Sequence, residues 1–232
     1  VTGRNILRFA FPTIVMTVFN TFYTMVDGLF VSNLIGMEAL SAINLTAPAI
    51  ALITAVSGML ATGGSAVVMK KMGEHKEQEA RQDFTLLILT NAAVGAMMMV
   101  LGYTLMDTLL KTMGLSPAVF GCCHTYLSNY LLFTIPILLM YNFSLYLIAA
   151  DKSTLSLICT VAGGVTNILL DYVLISLFDM GIQGAAIATG LGYSITAVVG
   201  FLVFRKQDSL LHFEKPVFRG GVLFHASTNG MS

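Results

Sequence analysis

The chain has 232 residues, 56% of them hydrophobic and only 10% charged, with a mean hydropathy of +0.82. A soluble domain carries about 25% charged residues, so this composition excludes an ordinary water-soluble fold and describes an integral membrane protein. Twelve basic residues balance twelve acidic ones, which leaves no basic field of the kind that holds nucleic acid, and nucleic acid is not an expected partner.

A spanning helix needs about 20 mainly apolar residues. Six segments qualify, at residues 6–34, 40–69, 83–106, 119–149, 154–178 and 183–204. Short polar breaks separate them, among them "NLIGMEA", "DTLLKTMGLSP", "AADKS" and "FDMGIQG", so the predicted fold is an all-α bundle of six transmembrane helices. The first span is too long for a signal-peptide core and contains Asp27, so it is kept as structure. Pro12 in this span, Pro48 in the second and Pro136 in the fourth are expected to bend or loosen their helices.

The stretch 70–83, "KKMGEHKEQEARQD", reads as a solvated cytoplasmic loop, with contact to anionic lipid headgroups as a second use. With a cytoplasmic N-terminus, Arg4, Arg8, Lys70, Lys71, Lys76, Arg81, Lys152, Arg205, Lys206, Lys215 and Arg219 fall inside and only Lys111 outside. The positive-inside rule therefore places the N-terminus in the cytoplasm. The segment 1–206 forms the predicted lobe. Residues 207–232 read as a polar cytoplasmic connector followed by the opening of a further helix, "VLFHASTNGMS". The chain starts at Val1 with no initiator methionine, so a longer protein is expected.

Cys122, Cys123 and Cys159 have neither disulfide nor metal-ligand spacing, and the four histidines share no spacing either. None of them is assigned to a metal. No HExxH or GxSxG pattern occurs, so no catalytic residue is expected and the chain does not read as an enzyme.

Within the spans two carboxylates stand out, Asp27 and Asp171. An aspartate at the centre of a membrane helix costs about 2.5–3.5 kcal/mol on insertion scales. Helical spacing sets Asn20 and Tyr23 on one stripe with Asp27, and Thr160, Gly163, Gly164 and Asn167 on one stripe with Asp171. Such stripes face the bundle interior or a water-filled cavity, because lipid offers them no partner. Interhelical hydrogen bonding is one explanation, yet such bonds average only about 0.6 kcal/mol in one membrane protein, less than the insertion cost. The other explanation is a proton relay or a Na⁺ site, since hard cations take oxygen ligands. The sixth span, "GIQGAAIATGLGYSITAVVG", adds the Thr189 hydroxyl to a surface of small residues. "ATGGSA" at 61–66 and "AGG" at 162–164 read as packing surfaces of the same kind. Asn142 in the fourth span is either interhelical glue or cavity lining.

These features, in this order, resemble the multidrug and toxic compound extrusion (MATE) family. The residues that carry the resemblance are "FAFPTIV" and "YTMVDGLFVSNLIGMEALSA" in the first helix, "NILLDYVLI" in the fifth and "GIQGAAIATGLG" opening the sixth. It covers nearly the whole chain as the family's amino-terminal half. It implies one lobe of a twelve-helix, two-lobe transporter in the cell membrane, which exports amphipathic, often cationic compounds by alternating access against Na⁺ or H⁺. By position, Asp27, Asn167, Asp171 and Thr189 match the family's cation-binding group, a possible Na⁺ site. Asn20 and Tyr23 match cavity positions, with Asn142 a third candidate for the substrate cavity, and Pro12 matches a helix-bending proline. No cofactor is implied beyond the coupling ion. The expected partners are small amphipathic or cationic molecules, membrane lipids and the carboxy-terminal lobe of the same protein. A flippase for lipids or lipid-linked oligosaccharides is the alternative, although it calls for a cationic cleft and no Lys or Arg lies mid-span. An intramembrane aspartyl protease is a remoter one, because "MVDG" and "LLDY" are not the sequences that such enzymes place around their aspartates.

Overall fold

A computed structural model of the chain describes residues 3–206 and 209–230, with side chains from residue 11 onward except those of Pro12 and Thr13. The side chains of Pro12, Arg4 and Arg8, and the connector boundary at residues 207–208, therefore lie outside the described set. Among the described residues the regular elements are all helices, with no strand.

The first span is α1, Gly3–Leu34, and a turn through Gly36 leads into α2, Met37–Gly73. Gly36 has φ +123°, a backbone conformation that side chains other than glycine strain to adopt. The next helix, α3, is Glu77–Thr112. At a rise of 1.5 Å per residue the 37 residues of α2 extend about 55 Å, well beyond the roughly 30 Å hydrocarbon layer. The long loop expected at 70–83 is absent for that reason. The two helices continue past the apolar layer and meet in a turn of residues 74–76, where His75 takes φ +61°.

The fourth span is broken rather than straight. It comprises α4, Pro117–Leu131, and α5, Thr134–Ala149, set at 55° to each other. Ser116 caps α4, its Oγ accepting from the Val119 N–H at 3.4 Å, and Pro117 occupies the first turn, where its missing N–H is harmless. Pro136 has the opposite effect. It cannot donate to the Leu132 carbonyl and its ring crowds that group, so the span breaks at residues 132–133. Pro48, by contrast, sits inside an unbroken α2.

The fifth span is α6, Ser153–Asp171, which runs directly into a π-helical segment, Tyr172–Leu177. The sixth is α7, Gly181–Phe204, and the connector ends in α8, Gly220–Asn229. With the broken span counted as one, six segments among the described residues are long and apolar enough to cross a membrane. This is a multi-pass membrane protein. Large apolar side chains such as Phe22, Leu52, Leu169 and Phe201 point outward, as lipid permits.

Because lipid is as apolar as the core, the helices associate through close packing of small residues. The tightest pairing is α6 with α7. A Cβ on Gly163 would lie 2.7 Å from the Gly192 carbonyl oxygen, and one on Gly192 would lie 2.8 Å from the Gly163 carbonyl oxygen, so both positions require glycine. Gly164 makes the same allowance for Phe19 of α1, and Gly63 for the backbone of α8. The "AGG" and "ATGGSA" stretches are packing surfaces, as predicted.

The connector is less polar in its setting than its sequence suggests. Leu211 is fully buried, Phe213 stacks on Phe84 with ring centroids 5.4 Å apart, and the Glu214 N–H donates to Thr85 Oγ1 at 3.0 Å. Arg219 reaches Glu79 Oε2 at 3.1 Å and Asp83 Oδ1 at 3.4 Å, and Asp83 also pairs with Lys71. Asp83 is fully buried. Asp27 and Asp171 are thus not alone as charged groups inside the bundle.

Candidate functional site

The π-helical segment begins at the residue after Asp171. A π turn inserted into an α-helix re-aims the side chains around it and is frequent at functional sites. Asp171 is fully buried on α6, and Asp27 approaches it from α1. The two carboxyl groups lie within hydrogen-bonding reach of each other. Oδ1 of Asp27 and both carboxyl oxygens of Asp171 are buried with no hydrogen-bond donor to satisfy them. Buried acceptors of this kind are normally paired. A single proton held between the carboxyls, or a cation among them, would supply what is missing.

One turn earlier on α6 sits Asn167, 2% exposed, whose Nδ2 donates to Thr189 Oγ1 of α7 at 3.3 Å. The Thr189 hydroxyl in turn donates to the Ala185 carbonyl at 3.0 Å. Its lone pairs are thereby left turned toward Asn167. Asn167 Oδ1 is another buried oxygen without a donor. The four residues predicted as the cation-binding group converge from α1, α6 and α7, and they offer carboxyl, amide and hydroxyl oxygens suited to a hard cation. No group of three His, Cys, Asp or Glu side chains with metal-binding geometry occurs among the described residues.

Beside this cluster lies an open cavity of about 560 Å³ lined by α1, α2, α5, α6 and α7. That volume fits a drug-sized molecule. Asn20 and Tyr23 line it, and so do Thr160, Gly163, Gly164, Asn167 and Thr189. Thr21, Thr24 and Thr62 donate their hydroxyls to carbonyls of their own helices, at 3.1, 2.6 and 2.8 Å, and so satisfy their donors locally. None of the described lining residues is charged. Asp27 and Asp171 stand one turn beyond Tyr23 and Asn167, outside the lining.

Asn142 is a correction. It does not line the cavity but is fully buried between α5 and α3, where it exchanges reciprocal hydrogen bonds with Asn91 at 2.9 and 3.1 Å. A lone amide in an apolar helix needs a partner, and Asn91 provides it, which makes Asn142 interhelical glue.

Residues missed in the sequence include Tyr141 and Tyr193, both in the cavity wall. The Tyr193 hydroxyl hydrogen-bonds that of Tyr23 across α7 and α1 at 2.9 Å. Tyr193 follows Thr189 by four residues, the spacing of one helix face, and that periodicity could have revealed it.

The family described as MatE matches residues 12–173, from α1 through the start of the π-helical segment. The chain belongs to the MatE family. Members of this family are membrane transporters, and no catalytic role is assigned to any residue. Among curated relatives, the chain is similar to the multidrug export protein MepA of Staphylococcus aureus (strain MRSA252), at 21% identity over 206 residues. That match covers 89% of this chain and 46% of MepA. Among solved structures, it is similar to an outward-facing multidrug resistance MATE family transporter of the MOP superfamily, with a TM-score of 0.90 at 23% identity. It is also similar to a MATE protein in complex with MaD3S, with a TM-score of 0.91 at 23% identity. Both structural matches cover 97% of this chain and 51% of the other. The chain thus spans about half the length of the relatives it matches, and at these identities the structures establish the shared fold.

Proposed function

We propose that this chain is the ion-coupling amino-terminal lobe of an exporter that exchanges amphipathic, often cationic compounds for Na⁺ or H⁺ by alternating access. The observation that carries this reading is the Asp27–Asp171 pair, whose buried oxygens lack donors, beside an uncharged cavity of drug size. With the pair ionised, the lobe attracts a cation or protons. Neutralisation removes the repulsion between the carboxyls, lowers the penalty for repacking α1 and weakens the hold on a cationic substrate nearby. Substrate and coupling ion thereby exclude one another, to the extent of their differential affinity for the two states. The N-terminus is cytoplasmic in this arrangement and the protein resides in the cell membrane, with the second lobe completing the cleft. The absence of any basic side chain among the described cavity residues weighs against an anionic headgroup and hence against the flippase alternative.

The test uses the full-length protein in proteoliposomes. Export of a fluorescent lipophilic cation is followed under a Na⁺ gradient and separately under a pH gradient, for wild type and Asp171→Asn. Gradient-driven export that disappears in the variant supports the reading and identifies the driving ion. Equal export by the variant contradicts it.

A further inference from the structure

The last helix is seated on α2 along a single stripe. A Cβ on Gly63 would strike the Ala226 carbonyl, and a Cβ on Gly230 would strike the Met59 carbonyl, so the two backbones touch through one glycine from each side. Val222 and Ala226 are buried in one cluster with Val68 of α2. Positions 222, 226 and 230 recur at the spacing of one helix face, as do 59 and 63. α8 therefore runs antiparallel to α2, from the Lys71 end up to Met59. The adjoining α2 positions, Gly58 and Thr62, line the cavity, so the seam ends beside the cavity wall.

The attachment of α8 falls into parts of different strength. Up to Glu214 the connector is held independently of α8. Leu211 is fully buried, Phe213 stacks on Phe84 and donates its N–H to the Phe204 carbonyl at 3.0 Å, and the Glu214 N–H donates to Thr85. Lys152 donates to Ser209 Oγ at 3.1 Å and Arg81 to the Leu210 carbonyl at 3.3 Å. Residues 215–218 differ: all four are exposed, Phe218 by 79%, and among the described residues their backbone makes no hydrogen bond. Arg219 then reaches Glu79, Asp83 and Gln82 just before α8 begins. Lys71 pairs with the same two carboxylates, Glu79 at 3.2 Å and Asp83, so neither loses its only cation when Arg219 departs. A buried ion pair resists opening because one partner is stranded. Here Lys71 remains behind, and the Arg219 side chain, 32% exposed, already reaches water.

We propose that α8 is a releasable cytoplasmic strap: Arg219 latches it to α2 and α3, and during transport it swings off the Met59 and Gly63 face of α2 about residues 215–218, opening the cavity wall at Thr62 toward the cytoplasm. This rests on the alternating-access reading above. The closest contacts of the seam are made by Gly63, Ala226 and Gly230, which carry little side chain, so parting uncovers little apolar area there. Ser227 and Thr228 donate to carbonyls within α8, at 2.9 and 3.0 Å, so their donors are satisfied whether or not α8 is docked.

The test uses the full-length transporter carrying Val222→Cys, a nearly isosteric change at a buried seam position, in inside-out vesicles exposed to a membrane-impermeant maleimide. Peptide mass spectrometry reads labelling at each cysteine, and the native Cys159, buried in α6, reports general loosening. Labelling at residue 222 is expected to be slow at rest and to rise about threefold or more while ethidium is pumped into the vesicles under an ion gradient. At rest, Arg219→Gln raises it by a similar factor, within what a partly exposed ion pair supplies, whereas Arg219→Lys stays near wild type and Cys159 does not change. Equal labelling at residue 222 at rest and during export overturns the strap and leaves the exporter reading standing. Equal resting rates in Arg219→Gln and wild type, or a parallel rise at Cys159, overturn it as well. If the wild type pumps no ethidium under either a Na⁺ or a pH gradient, the alternating-access reading falls and the strap falls with it. Should Val222→Cys not fold, hydrogen exchange of the unsubstituted transporter decides: α8 amides that exchange no faster during export than at rest rule the strap out.

Discussion

Asp27 on α1 and Asp171 at the end of α6 face each other within hydrogen-bonding reach, with three of their four carboxyl oxygens buried and without a donor. Asn167 Oδ1, one turn away, is a fourth oxygen in the same condition. The arrangement separates two ways of satisfying the cluster. A proton needs only the carboxyls, whereas Na⁺ draws on every oxygen within reach.

The neutral ligands therefore report which ion is used. If Na⁺ drives export, Asn167→Ala and Thr189→Ala raise the Na⁺ concentration for half-maximal transport by about tenfold, equivalent to about 1.4 kcal/mol and comparable to one hydrogen bond to a charged group. If H⁺ drives it, the same variants leave the pH dependence of transport in place while Asp171→Asn abolishes it. Dye export by full-length protein in proteoliposomes, titrated separately with Na⁺ and H⁺, distinguishes the two.

At the contact between α6 and α7 the backbones themselves set the limit. A Cβ at Gly163 would lie 2.7 Å from the Gly192 carbonyl oxygen, closer than carbon and oxygen tolerate. Gly163→Val is expected to destabilise the protein by about 1–3 kcal/mol, the usual range for overpacking, and to displace Asn167 from Thr189. Thermal unfolding in detergent reads the first effect and Na⁺ affinity the second. Gly28→Ala, at a glycine whose added Cβ meets nothing within 4 Å, serves as the control and is expected to leave both unchanged.

The polar stripes around Asp27 and Asp171 were legible in the sequence because helical spacing is rigid. Once Asp27 and Asp171 are seen as misplaced in lipid, the i±3 and i±4 rule places Tyr23, Asn20, Asn167 and Thr160 beside them without any coordinates. What periodicity cannot give is the partner on another helix. Asn142 looked like a lone amide because Asn91, its partner, lies 51 residues away in sequence. Tyr193 was overlooked in a helix whose small residues drew attention to packing. The kink at residues 132–133 was foreshadowed by Pro136, whereas α2 continues unbroken through Pro48. The depth of Asp83 was hidden by the polar residues around it, which made α3 seem to begin later than it does.

The paired amides yield a prediction that separates glue from cavity lining. Asn91→Leu alone leaves the Asn142 amide buried with its cross-helix partner gone, and should destabilise the protein by about 1–3 kcal/mol. Replacing both with leucine removes the polar groups together and should recover most of that loss. Thermal unfolding of the two single variants and the double variant in detergent checks this. Dye export by the double variant should stay close to wild type, since neither amide lines the cavity. A double variant that is stable yet fails to bind dye would return Asn142 to the substrate site.

The buried charges beneath the connector follow a different rule. Asp83 is fully buried between Lys71 of α2 and Arg219 of the connector, and Arg219 also reaches Gln82 and the more exposed Glu79. Removing one member of a buried pair strands the other, at about 3–5 kcal/mol, while replacing both with apolar groups is often neutral. Lys71→Met is accordingly expected to lower thermal stability sharply, and Lys71→Met with Asp83→Leu to restore most of it. Arg219 is 32% exposed on its side chain, and water can replace part of what it provides. Arg219→Gln should leave the bundle nearly as stable but loosen the connector, which would register as faster chymotrypsin cleavage after Phe213. Cleavage at the wild-type rate in that variant would mean that Leu211 and Phe213 alone hold the connector in place, and that Arg219 adds little to its docking.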